Sequence, residues 1–326
     1  MKKFRKTGPM NPRRVIGHLL TQRRILPILA VAAGFLAVSN AVANEINLVT
    51  GTTISGVAAT TSGSFTSRTT PASASTGTAG PDAIYELIDT HPSGTGVFLP
   101  FLSYQHRDTE EGINTSQLGN GQGVLDDKRV PQWTHDLHLN ELGTITRNGV
   151  SYYAFELDAN ETGSGQPNRL LSIDDIRIYT SSSSPFVGAG GSIGNDNQAH
   201  TAVNNDTVGT LRYAQNEPNG TANFVLIDAS RRTEGSTSGS GSSDMLVLVP
   251  TSLFAGAGAN DFVTFYTLNG AHDAAGDDGS DAGFEEWRAL VGAPAVPDGG
   301  STLLLLGSAL IPLGLLRARR EMSGKA

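Results

Sequence analysis

Asn148-Gly149 restricts this chain more than any other pair of residues, because a two-residue type I′ turn needs positive φ at both central positions and Asn-Gly meets that need at least strain. It is flanked by Gly143-Thr144-Ile145-Thr146-Arg147 and by Val150-Ser151-Tyr152-Tyr153-Ala154-Phe155-Glu156-Leu157. The turn predicts a hairpin that pairs Thr144 with Tyr153 and Leu142 with Phe155, and sets Tyr153, Phe155 and Leu157 on one face. Continued without a break, that register puts Asn140 opposite Leu157 and turns Leu137 and Leu139 to the other face. A bulge near residues 141–143 is therefore expected.

Other runs read the same way. Leu170 to Tyr179 is expected as a strand in which Ile176 and Ile178 share a face, with Ile173 set off by a bend at Asp174-Asp175. Residues 223–228, 244–249 and 261–268 are short, rich in β-branched or aromatic residues and bounded by Gly, Ser or Pro, which marks strands. Residues 83–88 read as either a short helical turn or a strand, and residues 181–194 and 230–243 as loops. Between Asn44 and Val296 the sole lysine is Lys128, and Gly, Ser, Thr, Asn and Asp abound at the expense of helix formers. No tandem repeat of fixed period is visible. The expected class is all-β, an antiparallel β-sandwich or jelly-roll-like ectodomain over residues 83–295. Ahead of it, residues 44–82 are polar: 16 of the 30 residues from 50 to 79 are Ser or Thr, and Ile54, Val57 and Phe65 are their useful core candidates. That stretch is expected to give an edge strand and a flexible arm. With no cysteine, the fold has neither a disulfide framework nor a lipoprotein attachment site.

Both ends of the chain read as addresses. Eight basic residues between Lys2 and Arg24 precede an apolar run from Ile25 to Val38, and Ala41-Val42-Ala43 offers the small side chains that signal peptidase reads. Cleavage is expected after Ala43, so residues 1–43 form a signal peptide with a helical apolar segment. At the far end, Val296-Pro297-Asp298-Gly299-Gly300 opens a turn, residues 302–316 are an apolar run, and Arg317, Arg319 and Arg320 close it. Such a run makes a helix of roughly 22 Å, shorter than the ~20 residues of an ordinary spanning helix. A transient membrane anchor through a C-terminal transmembrane helix fits this better than a permanent one.

This order of turn, apolar run and basic stop resembles the PEP-CTERM sorting signals of Gram-negative bacteria, and Val296-Pro297-Asp298-Gly299-Gly300 is similar to their VPDSG variant, with Gly299-Gly300 where that variant has Ser-Gly. The resemblance implies recognition by an exosortase, an integral-membrane transpeptidase that removes the tail, and delivery to the cell surface or an exopolysaccharide matrix. Short pieces of the body, among them Trp133-Thr134-His135-Asp136-Leu137, Phe155-Glu156-Leu157-Asp158 and Gly283-Phe284-Glu285-Glu286-Trp287, also resemble exported proteins carrying this class of tail. That group brings no catalytic residues with it.

Removing both ends exposes a charge imbalance. Residues 44–296 hold 11 basic and 29 acidic side chains, a net of about −18. Such a field repels nucleic acid and anionic lipid and favours cations. No Gly-rich phosphate loop, nucleophile elbow or His-Glu-x-x-His helix occurs, so no catalytic residue is assigned. His135 and His138, three apart, point to opposite faces of a strand, and His106 lies beside Asp108, Glu110 and Glu111. The strongest binding signal is oxygen donors grouped in loops: Asp158, Asn160 and Glu161 after the hairpin, Asp174 and Asp175 within a strand, and Asp273, Asp277, Asp278 and Asp281 near a glycine. Hard oxygen ligands suit Ca²⁺, although residues 273–284 do not follow the EF-hand spacing. Three functions remain open: a non-enzymatic surface or matrix protein, a Ca²⁺-assisted polysaccharide-binding module using aromatics such as Trp133, Trp287, Tyr104 and Phe101, and a secreted glycan hydrolase with paired carboxylates.

Overall fold

A computed structural model of the chain describes residues 44–49, 57–68, 79–88, 98–116, 124–128, 132–161, 169–187, 191–218, 222–229, 243–272, 279–280 and 283–291. Within them lie fourteen strands and one α-helix: β1 (Asn44–Asn47), β2 (Ser62–Arg68), β3 (Ala79–Leu87), β4 (Leu102–Tyr104), β5 (Glu110–Ile113), β6 (Leu137–His138), β7 (Thr144–Arg147), β8 (Val150–Asp158), β9 (Leu170–Ser181), α1 (Asp196–Asn204), β10 (Thr210–Ala214), β11 (Asn223–Asp228), β12 (Met245–Pro250), β13 (Phe262–Asn269) and β14 (Glu285–Ala289). The protein is mostly β. One hydrogen-bonded sheet joins the strands in the order β1-β11-β9-β10-β2-β3-β12-β8-β14-β4, with β13 on the other side of β9, β5 and β6 on β13, and β7 on β8. It is a mixed sheet, because β1 runs parallel to β11 while the other pairings are antiparallel. Among the described residues no helix is long and apolar enough to cross a membrane. The expected signal segment, the cleavage residues Ala41 and Ala43, residues 296–300, the apolar run 302–316 and Arg317, Arg319 and Arg320 all lie outside the described residues.

The hairpin forms with Asn148 at φ 50° and Gly149 at φ 79°, and Thr144 pairs with Tyr153. It is shorter than expected. Phe155 pairs with Ala289 of β14, while Leu142 bridges Val291. The reason is that β14 takes the edge of β8 from Phe155 onward, while a 3-10 turn at Leu139–Glu141 replaces the expected bulge and lets Leu137, Leu139 and Leu142 all reach the principal core. Phe155 and Leu157 share that core, and Tyr153 packs against it.

In β9 the predicted interruption is a bulge. Leu268 faces Asp175 and Asn269 faces Ile173, which leaves Asp174 without a partner on β13. The extra residue resets the two-residue period, so Leu171, Ile173, Ile176 and Ile178 all enter one core. β12 is apolar throughout and buried on both faces: Met245, Val247 and Val249 face the principal core, Leu246 and Leu248 a smaller cluster with Tyr152 and Ala154. A strand covered on both sides reads as a continuous apolar run rather than an alternation. Residues 83–87 resolve as strand, since β3 is tied between β2 and β12, and Ile88 lies just beyond it. β2 is not a free edge: it pairs with β3 along its length and meets β10 at Arg68 and Ala214.

Five strands stand between β13 and β8 along the sheet, yet Phe265 and Phe155 stand with ring centroids 5.2 Å apart, and Phe265 lies 4.9 Å from Trp287 and 5.5 Å from Phe101. The sheet therefore curls until these strands face one another across the core. A second cluster gathers α1, through Ala199, Ala202 and Val203, with Tyr179, Leu211 and Tyr266. Asn195 caps this helix by accepting from the Gln198 N–H at 3.0 Å.

Candidate functional site

Two groups of charged side chains lie inside the body, and they differ in how their charge is balanced. The first surrounds Asp206, which follows α1 with φ 52°. Arg68 of β2 donates from Nη1 to its Oδ2 at 2.7 Å, while Arg177 Nη1 and Tyr179 Oη of β9 donate to its Oδ1 at 3.3 and 2.9 Å. Arg177 also donates from Nε to Asp175 Oδ2 at 2.6 Å, and the Asn216 N–H reaches Asp175 Oδ1 at 3.2 Å. Burial alone would raise the Asp206 carboxyl, but the bond and charge of Arg68, with Arg177 and Tyr179, hold it below the usual range. Burial pushes Asp175 up to about 6 even with Arg177 beside it, so the Asp175–Arg177 pair is ionised at neutral pH. Two arginines thus meet two aspartates, and the network joins β2, β9 and the chain after α1.

Asp174 is equally occupied. Its Oδ2 accepts from Ser172 Oγ at 2.8 Å and from the Ala271 N–H at 2.7 Å, and its Oδ1 lies 3.1 Å from His272 Nδ1. The expected ligand pair Asp174-Asp175 is thus divided between two separate networks. Asp273, Asp277, Asp278 and Asp281 lie outside the described residues. His138 sets Nδ1 3.0 Å from the Asn260 carbonyl and packs on Phe262, and His106 Nδ1 lies 3.0 Å from the Thr109 carbonyl. The aromatics considered for sugar stacking are largely interior: Trp287, Tyr104 and Phe101 are buried, whereas Trp133 is half-buried with Lys128 Nζ 4.1 Å above its ring. Burial corrects that expectation, since an all-β core draws on most of the few aromatics available.

The second group is acidic, and in it Glu285 lacks such compensation. Glu110 on β5 and Glu285 on β14 are each 0% exposed, and Glu161 just beyond β8 is 9% exposed. Register brings them together: Glu110 faces Asn269 of β13, and Glu285 faces Tyr104 of β4. Tyr104 Oη then accepts from Asn269 Nδ2 at 2.6 Å and from Trp287 Nε1 at 3.1 Å, which locks the two sides against each other. Glu161 is carried in by the chain after β8. Asn160 Nδ2 donates to the Phe284 carbonyl at 2.7 Å, and Gly283, at φ 104°, packs so tightly on the Asn160 carbonyl that a Cβ would sit 1.8 Å from it.

The Glu110 and Glu285 carboxyl groups lie within hydrogen-bonding reach of each other. Two carboxylates offer only acceptors, so their contact becomes a bond only when one holds a proton. Glu110 has donors in the His106 N–H at 3.3 Å and Asn269 Nδ2 at 3.4 Å. Neither oxygen of Glu285 has a well-placed donor among the described residues, and its own backbone N–H gives the main local relief. Burial first, then the charge of Glu110 and that of Glu161, push the Glu285 carboxyl well above its ordinary value. Burial likewise raises Glu110. Two buried carboxylates in such contact repel each other, which favours uptake of a proton or a cation by the pair. Among the described residues no three His, Asp or Glu side chains are already gathered as a metal cage.

Comparison with protein-family models, with curated proteins and with solved structures finds no match.

Sequence reading had named Glu161, Asp158 and Asn160 but not Glu110 or Glu285 as ligands. Glu285 belongs to Glu285-Glu286, two adjacent acids on a strand, which must point to opposite faces; one of them was bound to face inward.

Proposed function

We propose that this chain is an exported surface or extracellular-matrix protein, associated with exopolysaccharide and processed at its C-terminus by an exosortase-like transpeptidase. The observation that carries the reading is the order of residues 296–320: a Val-Pro-Asp-Gly-Gly turn, an apolar run too short for a lasting anchor, and Arg317, Arg319 and Arg320 as a stop. A basic leader ending in Ala41-Val42-Ala43 stands at the opposite end, so both signals bracket the same acidic body. The body is read as a β-sandwich ectodomain. Support for that finer reading comes from the rings of β8 and β14 that meet β13 across the core. A cysteine-free core with internally paired arginines suits a protein that must stay folded outside the cell without disulfides.

The test is intact-mass and C-terminal peptide analysis of the protein recovered from its native envelope and culture medium. The expected result is loss of everything after residues 296–300, with any added mass at the new terminus marking transfer to an acceptor. Recovery of the peptide from Arg317 to Ala326 on the mature protein would make this a plain anchored ectodomain.

A further inference from the structure

We propose that Glu110 and Glu285, with Glu161 beside them, form a calcium site inside the body. The inference is independent of the export reading and stands on the geometry of β5, β13, β4 and β14. Glu285 is fully buried, and its two oxygens have no well-placed donor while facing a second buried carboxylate. A side chain in that position is not a structural salt bridge in waiting. The body's buried arginines, Arg68 and Arg177, are engaged around Asp206 and Asp175. The charges that bear most on Glu285 are those of Glu110 and Glu161, both negative.

Calcium fits better than other divalent ions because every donor here is a hard oxygen and no imidazole or thiolate is among them. Two bidentate carboxylates supply four of the six to eight oxygens that calcium takes, and its tolerance of irregular geometry suits ligands drawn from separate strands. Gly283 has a role in this arrangement. Its backbone lies against the Asn160 carbonyl, and only a residue without a side chain lets the Glu161 segment close on Glu285. Trp287 reports on the site, since its Nε1 donates to Tyr104 Oη, and Tyr104 is held by the Asn269 amide that also reaches Glu110.

The experiment uses the full-length chain, stripped with EDTA at pH 7.5 and titrated with CaCl2 alone. Millimolar calcium is expected to raise the Tm by about 5 °C or more, as binding to the folded state alone requires. TbCl3 is expected to give luminescence excited through Trp287 and displaced by calcium. Both responses should vanish in Glu285→Gln and in Glu110→Gln, and persist in Asp82→Asn, which alters an exposed acid elsewhere. The proposal is overturned if the wild-type Tm is the same in EDTA and in CaCl2, or if Glu285→Gln keeps the calcium response. A wild type indifferent to calcium, with Glu285→Gln melting higher than wild type at pH 7.5, would assign a shared proton to the pair instead. Should neither glutamine variant fold, equilibrium dialysis of the wild type decides: one calcium per chain sustains the site and none removes it. An unprocessed tail would leave this result untouched, and a calcium-free body would leave the sorting reading untouched.

Discussion

Asp206 shows how much a single side chain holds here. It takes bonds from Arg68, Arg177 and Tyr179, three donors brought from two strands. Asp206→Ala leaves two buried guanidinium groups short of an acceptor, which costs about 3–5 kcal/mol when a buried ion pair loses one partner. Urea denaturation should show that loss, and a change under 1 kcal/mol would mean that the network is dispensable. Gly283→Ala is expected to destabilise by more than about 1 kcal/mol, because it combines positive φ with a clash against backbone. At this scale the sequence is partly legible. Asp175 and Arg177 lie two apart on one strand and therefore share a face, so their pairing could be read directly. That Arg68 would join them could not, because 138 positions separate it from Asp206.

Elements were legible where their signal is local. The Asn148-Gly149 hairpin depends on two residues whose φ values the turn itself demands. Gly149→Ala meets nothing within 4 Å, so its cost of about 1 kcal/mol would be purely conformational and should appear as a lowered Tm with an unchanged fold. β9 gives a sharper test. Deleting Asp174 removes the extra residue and leaves Leu171, Ile173, Ile176 and Ile178 at even spacing on one face; a cooperative unfolding transition that survives at a lower Tm, through loss of the Asp174 bonds to Ser172 and Ala271, is the expected outcome, followed by circular dichroism. α1 was missed although its signs were present. Asn195 is a good N-cap, and Ala199, Ala202 and Val203 fall at helical spacing, but their small apolar area is faint in a polar run. The length of the hairpin was misjudged for another reason: β14 competes with residues 142–143 for the edge of β8, and that competitor begins more than 120 residues later.

For the molecule as a whole, burial of carboxyl groups sets the response to pH. Burial raises Asp127, Glu110 and Glu285, and moves Asp175 from 3.8 to about 6. A carboxyl whose folded value is raised binds protons more tightly in the folded state. Its contribution is fully present below the unfolded value and is lost as pH rises through the folded one, for Asp175 between 3.8 and about 6. Asp206 works in the opposite sense, its contribution being present above the ordinary range and lost as pH falls through its lowered value. Raised groups outnumber it here, so the calcium-free chain is expected to melt higher at pH 5 than at pH 8. Differential scanning fluorimetry in EDTA checks this, and a Tm that climbs across that interval would contradict it.

What the sequence determined alone was the set of features written in near neighbours: the β class, the turn at 148–149, the interrupted phase of β9 and the acidic charge. Those follow from backbone conformational preference and from periodicity, which act over a few residues. Tertiary structure alone decided that β1 runs parallel to β11, that β14 shortens the hairpin, and that Glu110 meets Glu285 while Asp174 and Asp175 part company. Strand partners are chosen by burial of faces assembled from the whole chain, and a carboxylate becomes a site or a structural brace according to which partner that burial brings to it.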